Sequence, residues 1–290
     1  MYSPLPTIDP AEGRLTVTLG QQTLPFGLEA NTTDELRPVI SSAQFLSPTG
    51  LGRREIGLIF RGDLGITYDY GYNYRSSLLS YNVGLVNGNG PNTADNNNYK
   101  DIVARIDAKV PTDYNSWLRE LRFGVSGYKG RQVLTNAAPA VTAQGNRSRY
   151  GFDVYYNHYP FGVTYEYVVT FDEALAAAGT RQPEARGDSH TATLFYNFGQ
   201  QFLSSKSQGR FDDWWPKTYQ PFFRYDRYDP NNEISSNQTD IYTVGFNIFF
   251  AETTKFQLNL SRKIEHRPAT LASNDSFATN EILTQLQYGF

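Results

Sequence analysis

Glu281-Ile-Leu-Thr-Gln-Leu-Gln-Tyr-Gly-Phe290 is the stretch whose reading decides the fold. Ile282, Thr284, Leu286, Tyr288 and Phe290 share one parity, while Leu283, Gln285, Gln287 and Gly289 share the other. A period of two, with an apolar face and a mostly amide face, describes a strand with hydrocarbon on one side and water on the other. One strand with that pattern also suits the edge of a soluble β-sandwich. The decision therefore rests on whether the pattern repeats.

It repeats along the whole chain. Gly13–Gln21, Arg53–Gly62, Tyr74–Asn87, Tyr99–Val110, Trp117–Tyr128 and Arg149–Asn157 all alternate. So do Phe161–Phe171, His190–Phe198, Tyr219–Tyr228, Ile241–Phe250, Thr254–Lys263 and Asn280–Phe290. Most are near ten residues, about the length that crosses a bilayer at a tilt. Val110–Ser116, His158–Pro160 and Ala251–Thr253 read as short connections. Gln21–Gly52, Gly88–Asn98, Lys129–Arg147, Asp172–Asp188, Asp229–Thr239 and Glu265–Thr279 read as long polar loops. Gly199–Lys217 is long for the short-turn side. Short turns at one rim and long loops at the other predict an all-β, transmembrane, antiparallel up-and-down barrel. A soluble sandwich or lipocalin-like barrel would need a packed interior, and the minority face here is small or charged. The strand Glu281–Phe290, with Leu286, Tyr288 and Phe290 at its end, resembles the C-terminal insertion signal of bacterial outer-membrane barrels, which the barrel-assembly machinery reads.

Composition agrees. The 290 residues are 39% hydrophobic yet carry 21 Tyr and 19 Phe, the rings that girdle a barrel at both interfaces. No apolar run of about 18 residues exists to form a transmembrane helix. With no Cys, disulfides and thiolate metal sites are excluded. A net charge of -3 gives no reason to expect nucleic acid. Trp117, Trp214 and Trp215 are expected together at the short-turn rim, where an indole finds both oil and water.

Several short motifs, in order along almost the whole chain, resemble the phosphate-selective porin O/P family. They are Gly20-Gln-Gln-Thr-Leu-Pro-Phe-Gly-Leu-Glu29 with Gln44-Phe45 and Arg53-Arg54, then Val86-Asn-Gly-Asn-Gly90 leading to Lys100-Asp101 and Ala104-Arg105. Pro221-Phe-Phe-Arg-Tyr-Asp-Arg-Tyr-Asp-Pro-Asn231 and the Gln-rich last strand follow. The resemblance implies an outer-membrane porin of sixteen strands, usually a homotrimer, passing small hydrophilic solutes with a preference for anions and without a cofactor. It also implies that the loop after the fifth strand folds into the lumen. Counting back from Phe290 makes Gly13–Gln21 the fifth strand, so residues 21–52 of a single 1–290 barrel domain are the expected constriction loop. Met1–Pro6 has neither a basic n-region nor an apolar h-region. On the sixteen-strand reading, four strands and a leader, on the order of 100 residues, are expected upstream; an even count of twelve also allows a smaller complete barrel.

No catalytic pattern survives. His158, His190 and His266 have no ligand or triad spacing, and Gly88-Asn-Gly90-Pro91 lacks the Gly-Lys-Ser/Thr of a phosphate loop. Asp226, Asp229 and Glu233 suit a solvated rim better than a cation site. The useful chemistry lies on the inward parity. Arg14, Arg61, Arg105, Lys109, Arg122, Arg149, Arg224, Lys255 and Lys263 fall there, with Glu55, Asp101, Asp107, Glu120, Asp153, Glu166 and Asp226. Most of these charges are expected to pair across strands. Arg37 on the loop, with Arg14, Arg53, Arg54 and Arg61 beside it, is expected to set anion selectivity, more so than Lys255 or Lys263. The remaining reading from a different class is a non-conducting structural or adhesin-type barrel whose surface loops bind a partner.

Overall fold

A computed structural model describes residues 12–135, 142–175, 180–199, 215–251, 254–266 and 276–288. The strands are β1 (Leu15–Thr23), β2 (Arg54–Asp69), β3 (Tyr74–Val86), β4 (Asp101–Lys109), β5 (Arg122–Thr135), β6 (Thr142–His158) and β7 (Phe161–Asp172). They continue with β8 (Ala185–Tyr196), β9 (Phe198–Gly199), β10 (Thr218–Asp229), β11 (Thr239–Phe249), β12 (Lys255–Glu265) and β13 (Phe277–Gln287). All lie in one antiparallel sheet in sequence order, the up-and-down arrangement that the alternation implies. The two-residue β9 continues β8. Phe195 pairs with Phe222, and Phe198 pairs with Tyr219, in one unbroken register. The break falls opposite Pro221, which has no N–H to give to the ladder. Twelve full strands remain, one for each alternating segment of the sequence.

Three boundaries depart from expectation. Trp117–Leu121 is turn rather than strand, held by Ser116 N–H to Asp113 O, Arg119 N–H to Ser116 O and Leu121 N–H to Leu118 O. The expected loop over residues 129–147 is largely ladder, with Lys129 opposite Ser148 and Thr135 opposite Thr142. That extension is mostly polar, and its two large apolar residues, Val133 and Leu134, are adjacent, so it carries no apolar alternation to read. β2 likewise runs on past Gly62 to Asp69, paired as far as Tyr74. Among the described residues no ladder joins β1 to β13.

Parity assigns the two faces as expected. Val83, Val125, Phe152, Leu194, Phe223, Val244, Leu260 and Leu286 are exposed on the outer face. On the opposite parity Asp101, Arg149, Asp153, Glu166, Arg224, Asp226 and Lys255 are buried. Charges on the inner face and bare hydrocarbon outside invert a soluble core, as a bilayer-spanning barrel requires. Trp117 and Trp215 are exposed, whereas Trp214 and Phe290 lie outside the described residues.

The inner face is not all polar. Leu24, Phe26, Ala43, Phe45, Leu46 and Leu51, from the β1–β2 connection, pack on Val86, Val103, Tyr128 and Val168 of the wall. These wall positions break the small-or-charged rule of the inner face because a loop covers them. Fully burying a ring such as Phe26 stabilises the docked loop by about 1.5–3 kcal/mol.

Candidate functional site

The β1–β2 connection, residues 24–53, reaches across the inner face from β5 to β12. Its first anchor is Gly27, whose N–H donates to Ser126 Oγ at 3.0 Å. Gly27 has φ +62°, and a Cβ there would lie 1.8 Å from Glu166 Oε1. Both the left-handed backbone and the missing side chain are therefore required. The Glu29 N–H then donates to Glu166 Oε2 at 2.8 Å. Further along, the Gln44 N–H donates to Asp226 Oδ2 at 3.0 Å, and its amide donates to Asp226 O at 2.9 Å.

The far anchor is Lys255. Its Nζ donates to the carbonyls of Asp34 at 3.2 Å, Glu35 at 2.9 Å and Arg37 at 2.8 Å, which uses all three of its protons. Beside it Gln257 donates to Pro38 O at 3.0 Å, and Asn247 donates to the same oxygen at 2.8 Å. The alternating Lys255, Gln257 and Asn259 on β12 are almost fully buried for this reason. Sequence reasoning ranked Lys255 as remote from the loop. The structure corrects this, making it the loop's main cationic tether.

The candidate arginines divide into three groups. The first is neutralised. Arg105 makes paired bonds to Asp153 at 2.6 and 2.9 Å and a further one to Asp107 at 2.5 Å. Arg37 meets Asp34 at 3.0 Å and Glu29 at 4.0 Å. Arg224 lies 3.4 Å from Glu29 and 3.3 Å from Asp226, and it donates to Ser41 O. These three hold loop and wall together, and their charge is already answered.

The second group faces open space. Arg61 and Arg122 line one cavity of about 340 Å³ with Asn82, Tyr155, the loop residues Gly27, Asn31 and Leu36, and the mutually paired Arg105 and Asp107. Arg61 donates to Thr18 Oγ1 at 3.1 Å, and Arg122 lies 4.4 Å over the Tyr155 ring. Lys109 stands directly opposite Arg122 in the ladder. Like charges opposite one another destabilise a sheet unless something compensates them. Among the described residues none of Arg61, Lys109 and Arg122 has a carboxylate within ion-pair distance. Sequence parity had put Lys109 inward but had not singled it out.

The third group stands apart. Arg54 alternates with the buried Glu55, so it shares the outer parity of Ile56, Leu58 and Phe60 and is exposed. It does not flank the loop from inside as expected, because Glu55 takes the inward position and accepts the Gly90 N–H at 2.8 Å. Arg14 is exposed before β1, where its backbone N–H donates to Asp63 Oδ1. Arg53 lines a separate cavity of about 200 Å³ with Glu55, Gly90 and Arg147. Leu286 and Tyr288 are exposed at the end of β13, on its outer parity.

In the loops, two carboxyls are held below their ordinary range. Asp95 is lowered chiefly by the hydrogen bond from Lys100, and Glu35 chiefly by one from Thr33. Among the described residues no cluster of His and carboxylates suited to a metal is present.

No curated protein matches the chain in a sequence comparison. A family model does, that of phosphate-selective porin O and P, over residues 7–290. With one antiparallel sheet in sequence order, apolar outside and charged inside, that match covers the fold as well as the motifs. The chain belongs to the phosphate-selective porin O and P family of outer-membrane porins.

Proposed function

We propose that the protein is a passive diffusion channel, narrowed where residues 24–53 cross the lumen, and that it prefers anions at Arg61, Arg122 and Lys109. The observation that carries this is two inward cations without a carboxylate partner, Arg61 and Arg122, lining a cavity beneath the loop, with Lys109 opposite Arg122 in the ladder. A unit charge about 6 Å from a passing anion contributes about 0.7 kcal/mol in bulk water and about 3 kcal/mol at an effective dielectric of 20. Several such charges together bias conduction without trapping the ion. The orientation follows from short turns at the periplasmic rim and long connections outside. The exposed Leu286 and Tyr288 suit capture of β13 by the assembly machinery.

The second reading, a non-conducting barrel that presents its loops, draws on the apolar packing of the loop against the wall. Planar-bilayer recording separates the two. The channel reading expects steady conducting steps and an anion-to-cation permeability ratio that falls severalfold in Arg61→Glu/Arg122→Glu. Silent wild-type protein would support the presenting barrel. An unchanged ratio in the double variant would remove these arginines from the mechanism.

A further inference from the structure

The turn Gly88-Asn89-Gly90, at the start of the long connection between β3 and β4, is tied into the inner wall from two sides. The Gly90 N–H donates to Glu55 Oε1 at 2.8 Å. The Gly88 carbonyl accepts from Arg147 Nη2, which also reaches Asp101 at 2.5 Å. A Cβ at Gly88 would collide with Asp101 Oδ2 and Arg147 Nη2, so glycine alone lets the turn lie this close. Turn, wall and the end of the β1–β2 connection together line the cavity of about 200 Å³ that Arg53 borders. Leu24, Leu51 and Val133 supply its apolar lining.

Two polar atoms of the residues lining this cavity lack a partner, and their needs are opposite. Glu55 is 4% exposed, makes no ion pair among the described residues, and its Oε2 accepts no hydrogen bond there. Arg147 commits Nη2 to Gly88 and Asp101, while its buried Nε has no acceptor. A buried carboxylate without a cation and a buried N–H without an acceptor are each costly. Arg53 is exposed and makes no ion pair among the described residues. A Cβ at Gly90 would stand 3.9 Å from Arg53 Cδ, so Arg53 and Glu55 meet at the same residue. A ligand that answers both needs must donate at one end and accept at the other. The charges of Arg53 and Arg147 offset those of Glu55 and Asp101, which favours a ligand of separated charges and no net charge. A simple anion would meet Glu55, and a metal cation would meet two guanidinium groups.

We propose that this cavity binds a small α-amino acid as the zwitterion, with its ammonium on Glu55 and its carboxylate on Arg53 and Arg147. An ammonium group has three protons to give, and one of them answers Glu55 Oε2. A guanidinium matches the planar geometry of a carboxylate. A short branched side chain, such as that of valine, then lies against Leu24, Leu51 and Val133. The inference rests on the barrel reading and a water-filled lumen, but not on anion preference, because Arg61 and Arg122 line a different cavity.

The test is saturation-transfer NMR on refolded protein in detergent with L-valine. It is set against 3-methylbutanoate, which lacks the ammonium, and isobutylamine, which lacks the carboxylate. Wild type should bind L-valine, and each analogue roughly tenfold more weakly, the scale of one lost hydrogen bond to a charged group. Glu55→Gln keeps an acceptor for the Gly90 N–H; it should lose L-valine and gain affinity for 3-methylbutanoate, a reversal that a collapsed cavity would not give. Arg53→Gln, at an exposed side chain, should weaken L-valine and 3-methylbutanoate and leave isobutylamine unchanged. Arg61→Gln/Arg122→Gln should alter ion selectivity in bilayer recordings and leave L-valine binding as in wild type, so the two readings fail separately. No L-valine signal from wild type, or equal binding of L-valine and 3-methylbutanoate, would overturn the proposal. So would L-valine binding that is unchanged in Glu55→Gln. Displacement of L-valine by equimolar inorganic phosphate would also overturn it, by marking a simple anion site.

Discussion

Lys255→Met is the most informative single change. Methionine keeps the length and packing of the stem but removes three protons given to the carbonyls of Asp34, Glu35 and Arg37. Each bond from a charged donor is worth about 1.5–3 kcal/mol when its partner stays buried. In a wet lumen the freed carbonyls regain water, so the low end applies and the three are not additive. A loss of about 2–4 kcal/mol of loop anchoring is expected, a rise of roughly 30- to 900-fold in the undocked population. The barrel wall is left intact, because Lys255 stays in ladder register with Phe249 and Gln287. Hydrogen exchange across residues 31–44 should accelerate by that factor while β10–β12 amides remain protected. Planar-bilayer traces should show larger and noisier steps. If exchange over 31–44 matches wild type, Lys255 is not the tether and the loop is held from its other end.

Other perturbations reach different parts of the structure. Gly27→Val should undock the near end of the loop, since φ +62° and a Cβ at 1.8 Å from Glu166 Oε1 leave it no room; limited proteolysis between residues 24 and 53 reports this, and resistance equal to wild type would contradict it. Phe123→Arg or Phe246→Arg should cost roughly 2–4 kcal/mol if near the bilayer midplane, read by folding titrations into lipid, with two silent substitutions refuting the assigned faces. Arg54→Glu, on the outer parity, should change the permeability ratio less than Arg61→Glu, which reversal potentials under a salt gradient will show. Asp95 is held below the usual carboxylate range by Lys100, so its contribution is present at neutral pH and is lost as pH falls through that lowered value; exchange in residues 87–100 should rise only at pH below the ordinary carboxylate range, and a rise centred near neutrality would point to another group.

Strand identity and facing were legible in the chain because both are local. A residue's face depends only on parity, so Phe152 against Asp153, or Leu194 against Thr193, could be placed without knowing any neighbour. The short motifs around Gly20–Glu29 and Pro221–Asn231 were enough to name the family for the same reason. Where apolar residues do not alternate, as in β5 and β6 past Lys129 and Ser148, parity carries no signal and the strands were read as loop. What parity cannot supply is the partner of a charge. Arg105 and Arg122 look alike in the sequence, yet one is answered by Asp153 from another strand and the other meets only a ring. Lys255 and Asp34 are 221 positions apart, and nothing local in either announces the contact. The docking of residues 24–53, the burial of Val86, Val103 and Val168 beneath it, and the choice of which cations stay open are contacts between distant segments. The period-two pattern determined the sheet and its two faces; only bringing the loop back across the inner face decided which charges are spent on holding it and which are left without a carboxylate partner.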